Sequence, residues 1–230
     1  MNSARKAALI AGILFIAADA TGILSTVLCN PVLHAPDYLA RVSSSENTVI
    51  LGGLLEFLMG AACAGIALSM YAVLRKYNKG LAIGSVGFGI IEGLLFMLAA
   101  ISLFLFVPLS QEITKAGPAD PPYFQTLGHL LKAGYVSADN LAGIAFALGA
   151  LMYYYIFYRS GLIPRWLSIW GLASVTLCLL ESLLAMFHLA GPTVQSVLIA
   201  PLGLEEIVLA LWLILKGFNL PEMNPGTPGE

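Results

Sequence analysis

The chain has 230 residues, 59% of them hydrophobic and only 10% charged, with a formal net charge of −2. A soluble domain carries roughly 25% charged residues, so the shortfall argues against an ordinary soluble protein, and the absence of excess basic charge argues against a nucleic-acid binder. With a mean hydropathy of +0.87 and apolar runs of about twenty residues, the chain reads as an all-α, polytopic membrane bundle.

Six spans follow in chain order. The first covers residues 6–28 behind Arg5 and Lys6. It is too long for a signal-peptide core and has no A-x-A-like site, so it is expected to be retained. A loop over 29–48 leads to the second span at 49–74, and the turn "RKYNKG" leads to the third at 81–108. The long segment 109–135 comes next. One helix from Tyr123 to Tyr158 would run roughly 54 Å, well beyond a bilayer. A break is therefore expected near Gly134, leaving a short amphipathic segment on the outer surface before a fourth span at 136–158. The turn "RSGLIPR" joins this to a fifth span at 166–190, and a sixth covers 196–218. Residues 1–220 form one transmembrane domain on this reading, and 221–230 a disordered tail.

The basic residues sort by side. Arg5, Lys6, Arg75, Lys76, Lys79, Arg159, Arg165 and Lys216 share one face, and Arg41, Lys115 and Lys132 the other. The positive-inside rule then places both termini in the cytoplasm. In "MYYYIFYRSGLIPRWLSIW" the clustered Tyr and Trp residues read as an interfacial belt rather than a ligand cage. Spans two to three also resemble spans four to five at an offset of 84 residues, with Glu56 on Asn140, Tyr71 on Tyr155 and Arg75 on Arg159, which suggests an old hairpin repeat.

Every span carries an acid: Asp19, Glu56, Glu92, Asp139, Glu181, and the adjacent Glu205 and Glu206. Charge at membrane depth is costly, so each is a candidate functional group. At 1.5 Å per residue most fall in the outer half of the bundle, with Glu92 nearer the middle. Their helical neighbours are small or polar, the mark of a helix-contact face. Glu56 shares a stripe with Gly53, Gly60 and Cys63; Glu92 with Ser85, Gly89 and Ala99; Glu181 with Ser174, Cys178, Ala185 and His188. Asp19 lines up with Gly12 and Gly22, and Asp139 with Gly143. In the sixth span Glu206 shares its stripe with Gly203, Ala210 and Gly217, whereas Glu205 aligns with Leu198, Leu209 and Trp212. Glu206 is therefore expected to point inward and Glu205 toward a neighbouring helix or lipid.

The candidate ligand-binding residues are Asp19, Glu56, Glu92, Asp139, Asn140, Glu181, His188 and Glu206. No metal site is expected, although Glu181 and His188 are weak candidates, two turns apart on one face. No di-iron E-x-x-H, H-E-x-x-H, P-loop or G-x-S-x-G pattern occurs, and no cofactor is indicated.

Four stretches carry a family resemblance: "ARKAALIAGILFIAADATGIL", "YNKGLAIGSVGFGIIEGLL", "YRSGLIPRWLSIWGL" and "EEIVLALWLILKGFN". In this order they resemble an uncharacterised bacterial membrane family, domain of unknown function 4386. The resemblance implies six helices in a bacterial inner membrane and no established activity. It also implies an Arg where this chain has Gly89, so Glu92 lacks a basic neighbour one turn away.

The expected partners are the lipid bilayer and a small cationic or amphiphilic ligand. The leading expectation is an inner-membrane protein whose outward-facing acidic cavity binds a small cation, protons or such a ligand, as a transporter-like or sensing module. The alternatives are a membrane-embedded enzyme built on the carboxylates and His188, and a structural or partner-binding subunit whose acids hydrogen-bond across helices.

Overall fold

The computed structural model describes residues 3–116 and 122–220. The apolar runs become helices α1 (Ser3–Leu33), α3 (Glu46–Leu74), α4 (Lys79–Ala116), α5 (Pro122–Ser160), α6 (Arg165–Met186) and α7 (Pro192–Leu215). All six are long and apolar enough to cross a membrane. A seventh, short helix, α2 (Tyr38–Ser44), lies in the loop after α1. The expected C-terminal tail falls outside the described residues.

Several boundaries differ from the expectation. Helix α5 runs unbroken past Gly134. Its N-terminal half is held by the rest of the protein, so it need not lie flat on a membrane. Lys132 Nζ donates to the Leu33 carbonyl at 2.8 Å and sits 5.6 Å from the Tyr38 ring centre. Tyr38 also meets Phe106 edge-on and His129 at 6.1 Å. Helix α4 continues through Pro108 to Ala116, where Gln111 donates to Glu46 of α3 at 3.0 Å. Helix α6 stops at Met186, earlier than expected, and His188 follows in a left-handed turn at φ 55°.

The spans form a ring. Each packs extensively on its two neighbours in the order α1, α3, α4, α5, α6, α7 and back to α1. Among the described residues no span packs extensively on more than two others, so none fills the centre. Glycine sets two of the seams. At the α3–α4 crossing, a methyl on Gly60 would come within 2.5 Å of the Gly93 carbonyl oxygen, and on the α1–α7 seam one on Gly12 would meet the Ala210 oxygen at 2.8 Å. Backbones in contact at small residues are the usual basis of helix association in lipid. The outward faces are apolar and exposed, as at Ile23, Leu94, Ile169 and Leu215.

The ring is tied shut at the end carrying both termini. Arg5 of α1 donates to the last carbonyls of α7, at 3.1 Å to Leu213 and 2.6 Å to Ile214. A cation on the C-terminal carbonyls satisfies orphan acceptors and opposes the helix dipole. Gly217 then reverses the chain at φ 79°, Phe218 packs on Phe157, and the Asn219 N–H donates to the Leu162 carbonyl at 2.8 Å. At the opposite end α2 packs on α4, with Tyr38, Leu39, Val42, Leu103 and Phe106 in one buried cluster.

Candidate functional site

Because the ring has no central helix, polar groups on its inner faces meet one another across it. Two levels can be distinguished.

The level farther from the termini holds Glu56, Asp139 and Glu181. Glu56 is buried, and its Oε2 lies 2.8 Å from the Ser25 hydroxyl of α1, which is also 3.0 Å from the Gly52 carbonyl. Asp139 of α5 stands within electrostatic reach of Glu56 and Glu181. Helices α3 and α5 are not ring neighbours, so the Glu56–Asp139 approach crosses the interior. Asp139 is exposed although other helices surround it, and Glu181 is half-buried beside Ser182. Asn140, next on α5, is half-buried.

The deeper level gathers Asp19, Glu92, Glu205 and Glu206 with Cys63, Tyr153, Tyr154 and Cys178. The carboxyls of Asp19 of α1 and Glu206 of α7 stand beside each other, and both are half-buried. Glu92 of α4 is buried beside Cys63 of α3. Glu206 is within electrostatic reach of Glu92, although α7 and α4 lie on opposite sides of the ring. Tyr154 of α5 donates to Glu205 Oε2 of α7. It does so over Gly171 of α6, where any side chain would collide with the tyrosine ring.

Several buried polar atoms of this region have no hydrogen-bond partner among the described residues: Asp19 Oδ2, Glu205 Oε1, Tyr153 OH and Ser174 Oγ. A buried polar atom without a partner costs about 1–3 kcal/mol, so several together call for an explanation.

The inward stripes of Glu56 and Glu92 are buried along their length, as the small-residue pattern indicates. In the sixth span Glu206 stands across the interior from Glu92, and Glu205 meets another helix at Tyr154. Glu205 is fully enclosed with Leu202, Leu209 and Leu213, while Glu206 is half-buried. The bulky stripe is the enclosed one because Tyr154 and the gap over Gly171 accommodate it. The aromatic belt also divides: Tyr155, Tyr158 and Trp166 are exposed, but Tyr153 and Tyr154 turn into the core. His188 is exposed beyond the end of α6 and no longer shares a helical face with Glu181. Among the described residues no three His, Cys, Asp or Glu side chains come together as a metal-holding group. Residues that sequence reasoning did not place in the site are Ser25, Tyr153 and Tyr154; Glu205 is a candidate acid outside the expected ligand-binding set. The only signal for them was a hydroxyl or carboxyl at membrane depth.

Six apolar spans closed into a ring, with acids meeting across its interior, define a multi-pass integral membrane protein. The chain belongs to the family described as Domain of unknown function (DUF4386), which matches residues 10–217. No curated protein and no solved structure matches it. Two of the family-like stretches have visible structural work: "YRSGLIPRW" forms the α5–α6 turn, and "KGFN" docks onto it.

Proposed function

We propose that this is an inner-membrane protein of bacterial type, with both termini cytoplasmic and the acid-lined interior of its ring open toward the outside. There it binds a small cation, protons or a cationic amphiphile, as a transporter-like or sensing module. The orientation rests on the eight basic residues at the termini end. The binding reading rests on one observation: Asp19, Asp139, Glu181 and Glu206 come from four helices to one interior and all remain at least partly accessible. Carboxyls used only as ties would be enclosed, as Glu56 and Glu205 are.

A second reading applies to those two. Their bonds to Ser25 and Tyr154 support a role as interhelical ties. The enzyme alternative loses His188 from its cluster and has no observation in its favour.

The experiment uses purified protein in proteoliposomes, with tetraphenylphosphonium as the cationic amphiphile, sodium as the small cation and a pH dye for protons. Saturable binding or flux of one probe is expected. Asp139→Asn and Glu206→Gln should each weaken it roughly tenfold, the worth of one charged contact. Glu46→Gln, on the far surface, should not. If all variants fold and none of the three probes distinguishes them from the parent protein, the proposal fails.

A further inference from the structure

Two clefts of contrasting chemistry meet at Tyr155, at the end of the bundle that carries the termini. The first, about 360 Å³, opens between the α3–α4 turn and the last turn of α5, with Tyr77, Asn78, Tyr155 and Arg159 in its wall. The second, about 460 Å³, runs up the outer face of the bundle between α4, α5 and α6. It is walled by Leu81, Leu148, Met152 and Leu172, with Tyr155 shared between the two. We propose that together they bind one anionic phospholipid, its phosphate against Arg159 and an acyl chain in the Leu81–Leu148–Leu172 groove.

Four observations carry this. The Arg159 guanidinium has no hydrogen bond or ion pair with any described residue. Its counterpart in the hairpin repeat, Arg75, lies over the Tyr71 ring at 5.7 Å. Arg159 thus keeps its charge and its planar fork free for an oxyanion. The surrounding field is positive, since the α3–α4 turn carries Arg75 and Lys76, Lys79 follows, and the α5–α6 turn is flanked by Arg165. Neither turn contains an acid. Asn78 caps the start of α4 by accepting from the Leu81 N–H at 3.0 Å, so the positive dipole end of that helix also faces this cleft.

The fourth observation selects the ligand. A free phosphate would use only the polar cleft, and an uncharged lipid would use only the groove. A molecule with a phosphate joined to a hydrocarbon chain uses both, across the shared wall at Tyr155. Basic pockets between spans are where anionic head groups are held in other membrane proteins. The site is separate from the acid-lined interior and stands whether or not that interior binds a cation.

The test takes the full-length protein, delipidated in detergent, and measures lipid retention by native mass spectrometry. Dioleoylphosphatidylglycerol should be retained at one molecule per chain, roughly tenfold more tightly than dioleoylphosphatidylcholine. Arg159→Gln should weaken retention roughly tenfold, as expected for one charge-assisted contact. Met152→Trp, which fills the groove, should weaken it as well, and Lys115→Gln, an exposed basic residue at the opposite end of the bundle, should leave it unchanged. Glycerol 1-phosphate should compete poorly. Equal retention of the two lipids, no effect of Arg159→Gln, or displacement by glycerol 1-phosphate at concentrations like those of the lipid would each overturn the proposal. Arg159 is exposed and unbonded, so its replacement leaves the fold intact, and the thermal midpoint checks this.

Discussion

The Tyr154 hydroxyl donates to the Glu205 carboxyl, joining α5 to α7 although the two are not neighbours in the ring. Both residues are fully buried. Tyr154→Phe removes the only partner of Glu205 Oε2 among the described residues and leaves a buried carboxyl unpaired there, at a cost of about 1–3 kcal/mol. Glu205→Gln keeps a carbonyl acceptor for the tyrosine and should cost less. Replacing both, as in Tyr154→Phe with Glu205→Leu, removes donor and acceptor together and should recover much of the loss. Thermal midpoints of the purified variants order the series. If the double variant is as unstable as the sum of the singles, the bond is not the source of the effect.

The glycines provide a graded set. Gly60 and Gly93 bring the α3 and α4 backbones together, and a carbonyl fixed in a helix cannot step aside for a methyl. Gly60→Ala should destabilise by about 1–3 kcal/mol. Gly65 faces the end of the Leu14 side chain, which can turn away, so Gly65→Ala should cost less. A methyl at Gly87 has nothing within 4 Å, so Gly87→Ala should be silent. Thermal unfolding of the three variants in one detergent checks the order.

Hydropathy made the six spans legible, because a run of twenty apolar residues has few other fates. What escaped depended on contacts between distant parts of the chain. Length alone argued for a break near Gly134, but no strong breaker lies there, and α2 and α4 support the projecting half of α5. Seven residues at 38–44 are too few to announce a helix, and α2 forms because Tyr38, Leu39 and Val42 bury against Phe106 and its neighbours. For the candidate site, the presence of an acid on each helix was readable, and so were the inward stripes of Glu56 and Glu92. Which member of the Glu205–Glu206 pair is enclosed was not readable. Side-chain size on α7 says nothing of the room that Gly171 leaves on α6.

The acids differ in accessibility within each level. Asp139 is exposed, whereas Glu92 and Glu205 are enclosed. In intact cells Asp139→Cys should react with a membrane-impermeant maleimide, while Glu92→Cys should stay unlabelled until the membrane is dissolved and the protein unfolded. The native thiols Cys29, Cys63 and Cys178 are buried and should give a low background. Labelling of Asp139→Cys only in inverted vesicles would place the acid-lined opening on the cytoplasmic side and reverse the proposed orientation.

The last turn of α7 is held by another helix, which makes its stability a test of ring closure. Arg5 serves the carbonyls of Leu213 and Ile214, Gly217 takes a left-handed φ of 79°, and Asn219 bonds to Leu162. Arg5→Ala leaves these acceptors without their cation, and the loss should be about 1–2 kcal/mol. Gly217→Ala should cost a similar amount, since a left-handed residue with a Cβ is disfavoured by about 1–2 kcal/mol. In addition, the new methyl would lie 2.8 Å from Arg5 Nη1. Lys216 is already exposed, and either change should let the end of α7 fray and free the backbone there, so trypsin cleavage should quicken by roughly tenfold, the rate equivalent of that free energy when opening is fast. Leu215→Ala, at an exposed side chain on the same turn, should leave the cleavage rate unchanged. Equal cleavage in all three variants would mean that Arg5 does not close the ring.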